Sequence, residues 1–462
     1  MSDGPELYRP PWRYGRGPIP RYLVRPTARF MRIEAAGGIV IVLAAVVAMV
    51  WANIDFNSYE DFWRTEITLD LDIHTLSGHL EEWVNDALMV IFFFVVGLEI
   101  KREMVHGDLA SPRQAALPVL AAAGGMIVPA LIFTAFNAGG DGSAGWGIPV
   151  ATDIAFAVGV LTLLGNRIPF QLKIFLLTLA VADDIGGILI IAFFYSEDIA
   201  FDWLGAAFIL FGVLIVMQRV GIRPIAAYVI VGLAIWLATF ESGVEATIAG
   251  VALGLITPAG VLYQRHDLAG SVRRRADQLA ASHTIEDEQR AEDEHRYQLR
   301  EIEELTREAQ SPLERLEHMI SPWSAFVVIP IFALANAGIN LGGGVLSDAA
   351  GSNVAWGVAI GLVVGKLLGV FTFTYLAVRF GMAALPAGVT WFHVAGVSLL
   401  AGVGFTVAIF IAGLAYDDIA IIEDAKIGIF AASIIAAIAG YAVLRIAAAR
   451  APSIAPSPRI DD

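Results

Sequence analysis

The chain has 462 residues, of which 57% are hydrophobic, a mean hydropathy of +0.68 and a formal net charge of −15. Apolar runs of about 20 residues recur along it, which excludes a string of soluble domains and indicates a polytopic membrane protein. It contains no cysteine, so disulfides and thiolate metal sites are excluded as well.

Residues 1–32 carry seven arginines and six prolines and no cleavage-type signal, and read as a cytoplasmic tail. Twelve spans are predicted after it: 33–51, 83–100, 115–136, 146–164, 174–195, 199–217, 224–240, 244–262, 323–341, 354–378, 391–415 and 427–446. Lysine and arginine test that count. With the N-terminus inside, 27 of them fall on inside segments, only Arg64 and Lys426 fall outside, and Lys366 lies within a span. Both termini are therefore expected in the cytoplasm. The resulting division is spans one to eight in 33–262, a charged insertion at 263–321, spans nine to twelve in 322–449, and a Pro/Ser-rich tail from 450.

In the outside loop, 54–80, Ile67 to His74 alternates apolar and polar residues, the period of a half-buried strand. A hairpin there would either pair with a second copy of the chain through 67–76 or stand alone at the surface. The insertion holds 14 acidic and 9 basic residues. Leu299, Ile302 and Leu305 repeat at helical spacing within it, so part reads as a surface helix and most as a solvated connector.

The fifth span carries Leu179-Ala180-Val181-Ala182-Asp183-Asp184-Ile185-Gly186-Gly187. A translocon scale assigns about 3 kcal/mol to one aspartate at helix centre, so two adjacent ones mark a working site more readily than a helix end. Neighbouring helix residues point about 100° apart, which lets one carboxylate face a cavity and the other a different partner. Asp153 lies mid-way through the fourth span, in Ile148-Pro149-Val150-Ala151-Thr152-Asp153. Pro149 cannot continue the helical ladder, so either the helix breaks here against protein or a wet cavity, or it kinks with Asp153 paired to a neighbour.

Gly402-Val403-Gly404-Phe405-Thr406 offers a second interruption in the eleventh span, although glycines there could equally be a close-packing face. Position favours the break. Spans three to five and ten to twelve form two triplets with an interrupted middle member. Seven spans separate corresponding members, so the triplets enter the membrane in opposite senses, the inverted-repeat layout of secondary transporters. Lys366 is the one mid-span cation, too deep to snorkel, with the carboxylates as its natural partner. Glu99, Glu245 and Glu317-His318 lie near span ends, as mouth residues or interfacial ion clusters.

Trp83-Val84-Asn85-Asp86-Ala87-Leu88, Val96-Gly97-Leu98-Glu99, Ala151-Thr152-Asp153-Ile154-Ala155-Phe156-Ala157, the Asp183-Asp184 pair, Gly365-Lys366 and Gly402-Val403-Gly404-Phe405-Thr406 together resemble the NhaA-type Na+/H+ antiporters, from Ile33 to Arg445. The resemblance implies an all-α, twelve-helix protein of the bacterial inner membrane, with helices four and eleven unwound where they cross. It implies electrogenic exchange of external protons for internal Na+ or Li+, activation as pH rises, and a homodimer through the outside hairpin. Asp184 becomes the primary cation ligand, Asp183 the partner of Lys366, and Asp153 with Thr152 the neighbours of the crossing. Glu99, Glu317, His318 and Glu245 fall to the entrance and to pH regulation. Three departures touch that regulation: Glu245 stands where a histidine is usual, Glu314 and Ser321 replace a lysine and a second histidine, and the long insertion precedes them.

No cofactor and no nucleic-acid partner is expected, only the transported ions and lipid. Sodium wants oxygen ligands, and a proton neutralises the same carboxylates, so the two compete for one set of atoms. The remaining alternatives are a Na+-coupled symporter and, remotely, an intramembrane aspartyl protease. A protease needs its aspartates on facing helices and fits a neighbouring pair poorly.

Overall fold

The computed structural model describes residues 36–70, 75–196, 199–222, 224–260, 265–282 and 288–450. The predictions for the N-terminal tail, for 451–462 and for the hairpin tip at 71–74 lie outside the described residues. The helices are α1 (Ala36–Ile54), α2 (Phe56–Trp63), α3 (Leu80–His106), α4 (Pro112–Asn137), α5 (Ile154–Thr162), α6 (Phe170–Phe194), α7 (Phe201–Val220), α8 (Ile225–Glu241) and α9 (Thr247–Ile256). They continue with α10 (Arg265–Ser282), α11 (Glu288–Glu308), α12 (Pro312–Asn336), α13 (Val345–Gly351), α14 (Asn353–Arg379), α15 (Trp391–Leu400), α16 (Phe405–Ala415) and α17 (Ile419–Arg450). A 3-10 segment, Asp141–Val150, precedes α5.

Among the described residues, eight helices are long and apolar enough to cross a membrane: α1, α3, α4, α6, α7, α12, α14 and α17. The 3-10 segment with α5, bent by 43°, and α15 with α16, bent by 46°, are two bent pairs that raise the number to ten if each is one span. The predicted seventh and eighth spans correspond to α8 and α9, apolar helices of 17 and 10 residues. The chain is thus an all-α polytopic membrane protein with one small sheet.

That sheet is a hairpin of β1 (Glu66–Asp70) and β2 (Thr75–His79), antiparallel, with Leu69 opposite Leu76 and Asp70 opposite Thr75. The predicted half-buried face is not found within the chain. Every residue of β1 is exposed, Ile67 and Leu69 included, and only Leu76 of β2 is buried. The alternation was present, but nothing among the described residues covers the apolar side of β1.

The insertion also differs from the connector expected for most of it. α10 and α11 pack on each other, joined by an Arg275–Glu301 ion pair of 3.0 Å, with Gln298 buried between polar neighbours. Polar links of this kind leave no mark on hydrophobic periodicity, and Leu299, one of the three residues that repeat, is exposed.

The chain divides into two compact units. One takes in the described parts of Met1–Met89, Ser111–Glu197 and Ala325–Asp462; the other is Val90–Ala110 with Asp198–Ser324. In the first, α4 packs on α14 and α6, and α17 on α14 and α15. Gly124 of α4 and Gly369 of α14 stand backbone to backbone, each placed where a Cβ would strike the other's carbonyl. Small residues let membrane helices approach this closely. In α14 a π-helical turn, Gly361–Gly365, precedes Lys366. Such turns recur at functional sites, and none is readable from residue periodicity.

Candidate functional site

The fourth span stops being helical after Val150, not at Pro149, whose ring packs against Gly361 within the 3-10 segment. Ala151 to Asp153 are extended, and α5 restarts at Ile154 with Asp153 as its N-cap. In the eleventh span α15 closes with turns from Gly402 N–H to Leu399 O and Val403 N–H to Leu400 O, and α16 restarts at Phe405. The two breaks touch: Asp153 N–H donates to Val403 O at 2.7 Å. Gly402 lies where a Cβ would collide with Leu362 O of the π-helical turn. The two readings of the eleventh-span glycines therefore both hold, a break and a close-packing face at once.

Breaking two helices inside a membrane exposes backbone groups that must find partners. Asp153 serves both restarting helices. Its Oδ1 accepts from Phe156 N–H at 2.9 Å, and its Oδ2 from Thr406 N–H at 3.3 Å and from the Thr406 hydroxyl at 2.7 Å. Ser433 of α17 accepts from Phe405 N–H at 3.3 Å. A carboxylate beside two helix N-termini also meets the positive ends of two dipoles. On the carbonyl side, the Lys366 ammonium donates to Val150 O, where the 3-10 segment ends, and the Thr152 hydroxyl lies 2.8 Å from Ala401 O, where α15 ends.

Lys366 is 0% exposed, and Asp183 of α6 is its ion partner at 2.5 Å. Thr152 completes the group, with Oγ1 at 3.0 Å from Lys366 Nζ and 2.6 Å from Asp183 Oδ2. The other carboxylate oxygen, Asp183 Oδ1, is buried without a hydrogen-bond partner among the described residues. A Cβ on Gly125 of α4 would stand 3.9 Å from it. Asp184, next in sequence, is half-buried, and its charge acts on Lys366. One turn on, Gly187 is buried, yet a Cβ there would meet no atom within 4 Å. Oxygen donors, a spare carboxylate lone pair and adjoining room are what a small hard cation requires.

Asp153, Thr152, Asp183, Asp184 and Lys366 all belong to the first unit. Glu99, Glu245, Glu317 and His318 belong to the second. There, Glu317 pairs with Arg102, and Glu99 is half-buried within electrostatic reach of both. Glu245 is engaged locally, its Oε1 accepting from the Thr247 hydroxyl at 3.1 Å and Thr247 N–H at 3.4 Å. His318 is exposed, as is Glu314.

The motifs and their order match the family described as Na+/H+ antiporter 1 over residues 28–444. The chain belongs to this family. Among its relatives, the Na(+)/H(+) antiporter NhaA of Oleidesulfovibrio alaskensis is 45% identical over 425 residues, covering 92% of this chain and 94% of that one. The protein of that name from an Anaeromyxobacter species is 44% identical over 461 residues, 99% and 98% of the two chains. That from Escherichia coli is 42% identical over 423 residues, 90% and 97%. The members are transporters rather than enzymes, which leaves the protease alternative without support.

Sequence reasoning missed three parts of the crossing. Thr406 is the second residue of α16, just past its N-cap Gly404, and its place in the glycine motif beside the break could have flagged it. The carbonyls of Val150 and Ala401 follow only from knowing where each helix stops. Ser433 is an ordinary small polar residue of a span and carries no signal.

Proposed function

We propose that this chain exchanges Na+ or Li+ for protons across a bacterial inner membrane at the Asp183–Asp184 pair. The observation that carries the reading is the buried Asp183–Lys366 ion pair, with Asp183 Oδ1 left open beside Asp184 and the unwound crossing. It is supported by the family and by the relatives, which are named as Na+/H+ antiporters. A cation entering at Asp184 and Asp183 competes with Lys366 and with protons for the same oxygens, with Thr152 as a further ligand. Each cargo excludes the other, and that exclusion is exchange. The group titrates as a coupled set in which no one residue is the proton carrier. Electrogenic exchange follows if more than one proton returns per cation.

In the full architecture, α8 and α9 are counted as the seventh and eighth of twelve spans, and both termini are cytoplasmic. The triplets around the two breaks form inverted repeats, an arrangement of which this antiporter family is itself a type example. The exposed Ile67 and Leu69 of β1 fit pairing with a second copy, hence a homodimer through 67–76. Glu99, Arg102 and Glu317 form the entrance and regulatory cluster, and Glu245 and His318 are assigned to the same regulation.

The test is a dye-reported proton gradient in everted vesicles, challenged with Na+, Li+ and K+ across pH. Addition of Na+ or Li+ should collapse the gradient, and Asp184→Asn should abolish that response. Full activity in Asp184→Asn excludes the assignment. A gradient that Na+ builds rather than dissipates would indicate symport.

A further inference from the structure

Thr152 has more partners than one hydroxyl can serve. Its Oγ1 lies 3.0 Å from Lys366 Nζ, 2.6 Å from Asp183 Oδ2 and 2.8 Å from Ala401 O. The ammonium is a donor and occupies one lone pair of the hydroxyl oxygen. The other two neighbours are both acceptors, and the hydroxyl owns a single hydrogen. Whichever oxygen does not receive it faces a lone pair at hydrogen-bonding distance. A charged carboxylate is roughly twice as strong an acceptor as a neutral carbonyl, and here the contact is also the shorter. While Asp183 is held by Lys366, the hydrogen therefore points to Asp183. Ala401 O, among the last carbonyls of α15, goes without.

We propose that Thr152 is a cation-driven hydrogen-bond switch. Sodium seated on the oxygens of Asp183 and Thr152 turns the Thr152 hydrogen from α6 onto Ala401 O, so that the crossing gains a hydrogen bond in the loaded carrier. The proposal rests on the assignment of Na+ to these residues made above. A cation held by the hydroxyl oxygen takes up a lone pair and repels the hydrogen, which must then point away from it. Of the two acceptors, Asp183 now holds the cation, and Ala401 O is the one left for the hydrogen. The breaks are already linked by Asp153 N–H to Val403 O, and a second tie two residues earlier makes them move together. An exchanger has to move when loaded and not when empty, and a tie that forms with the cargo carries that information from α6 to the eleventh span.

The experiment uses the purified full chain as wild type, Thr152→Ser, which keeps the hydroxyl, and Thr152→Val, which keeps the shape without it. Hydrogen–deuterium exchange of the Gly402–Gly404 amides is followed by mass spectrometry with and without Na+. Binding is read on the same samples from the Na+-dependent shift of the thermal unfolding midpoint. Exchange at the break should slow several-fold with Na+ in wild type and Thr152→Ser. Thr152→Val loses one ligand, so Na+ is raised until its midpoint shifts as far as that of wild type, and at that loading the break does not respond. Equal slowing in Thr152→Val overturns the switch and leaves the Na+ site standing. So does a wild-type break that ignores Na+ while the midpoint moves, and this second criterion decides the matter if Thr152→Val fails to bind or fold. A wild-type midpoint indifferent to Na+ removes the underlying site and the switch with it.

Discussion

Asp153→Asn is nearly isosteric, and in most settings an asparagine would cap a helix as well as an aspartate. Here it should fail, because both carboxylate oxygens are committed to backbone donors on different helices: Oδ1 to Phe156 N–H at 2.9 Å, Oδ2 to Thr406 N–H at 3.3 Å. An amide has one oxygen. Whichever way it is turned, its NH2 meets a buried N–H, and leaving such a donor unsatisfied costs about 1–3 kcal/mol. Loss of the charge adds about 0.3–1 kcal/mol for each of the two helix N-termini it faces, up to ~2 kcal/mol where partly buried. The expected total is roughly 2–5 kcal/mol. Thr406→Val removes only the 2.7 Å hydroxyl contact and should cost about 0.5–1.5 kcal/mol. Thermal unfolding of the purified variants should therefore rank wild type and Thr406→Ser first, Thr406→Val next, and Asp153→Asn last, close to Asp153→Ala. An Asp153→Asn protein that melts with wild type would refute the two-helix cap.

Lys366→Met strips the cation from buried Asp183 and should cost about 3–5 kcal/mol, most of it recovered when Asp183→Leu is added, as a double-mutant cycle on melting midpoints would read. Tyr195 donates to Ala144 O at 2.8 Å and accepts from Gly147 N–H at 3.2 Å, so Tyr195→Phe should loosen the 3-10 segment, destabilise by about 1–3 kcal/mol and raise the apparent KM for Na+ in vesicles. Gly124→Ala drives a methyl into Gly369 of α14 and should destabilise by about 1–3 kcal/mol in the same melts. Gly187→Leu fills the space beside Asp183 and Asp184 and should abolish Na+-dependent proton flux while the protein still folds, whereas Gly187→Ala should retain flux.

The site was legible where chemistry and burial conflict. Asp183, Asp184, Asp153 and Lys366 stand out because an apolar run makes a charge costly, and the structure gathers all four into one unit around the crossing. Pro149 announced a break, but placed it too early: a proline is tolerated in the 3-10 segment, and the helix gives way only where Thr152 and Asp153 offer side-chain partners. The π-helical turn left no trace in the sequence: it lies where Leu362 O comes up against Gly402, a contact that the spacing of its own apolar residues does not encode. In the insertion, Leu299, Ile302 and Leu305 pointed to part of α11, while α10 was read as connector; the hairpin's open face escaped because alternation gives a period without saying what covers it.

Lys366 has two duties that cannot be separated by charge alone. Its ammonium neutralises Asp183, and it also serves Val150 O at the end of the broken fourth span. Three hydrogens meet three oxygens around it, so under the exchange proposed above it would surrender Asp183 to an arriving cation and still hold Val150 and Thr152. Arginine would keep the charge and lose this property. A planar guanidinium has no tripod to set on three converging oxygens, and Lys366 is fully buried where they converge. On the proposed exchange, charge at this position seats Asp183, and the shape of the ammonium lets Asp183 be released.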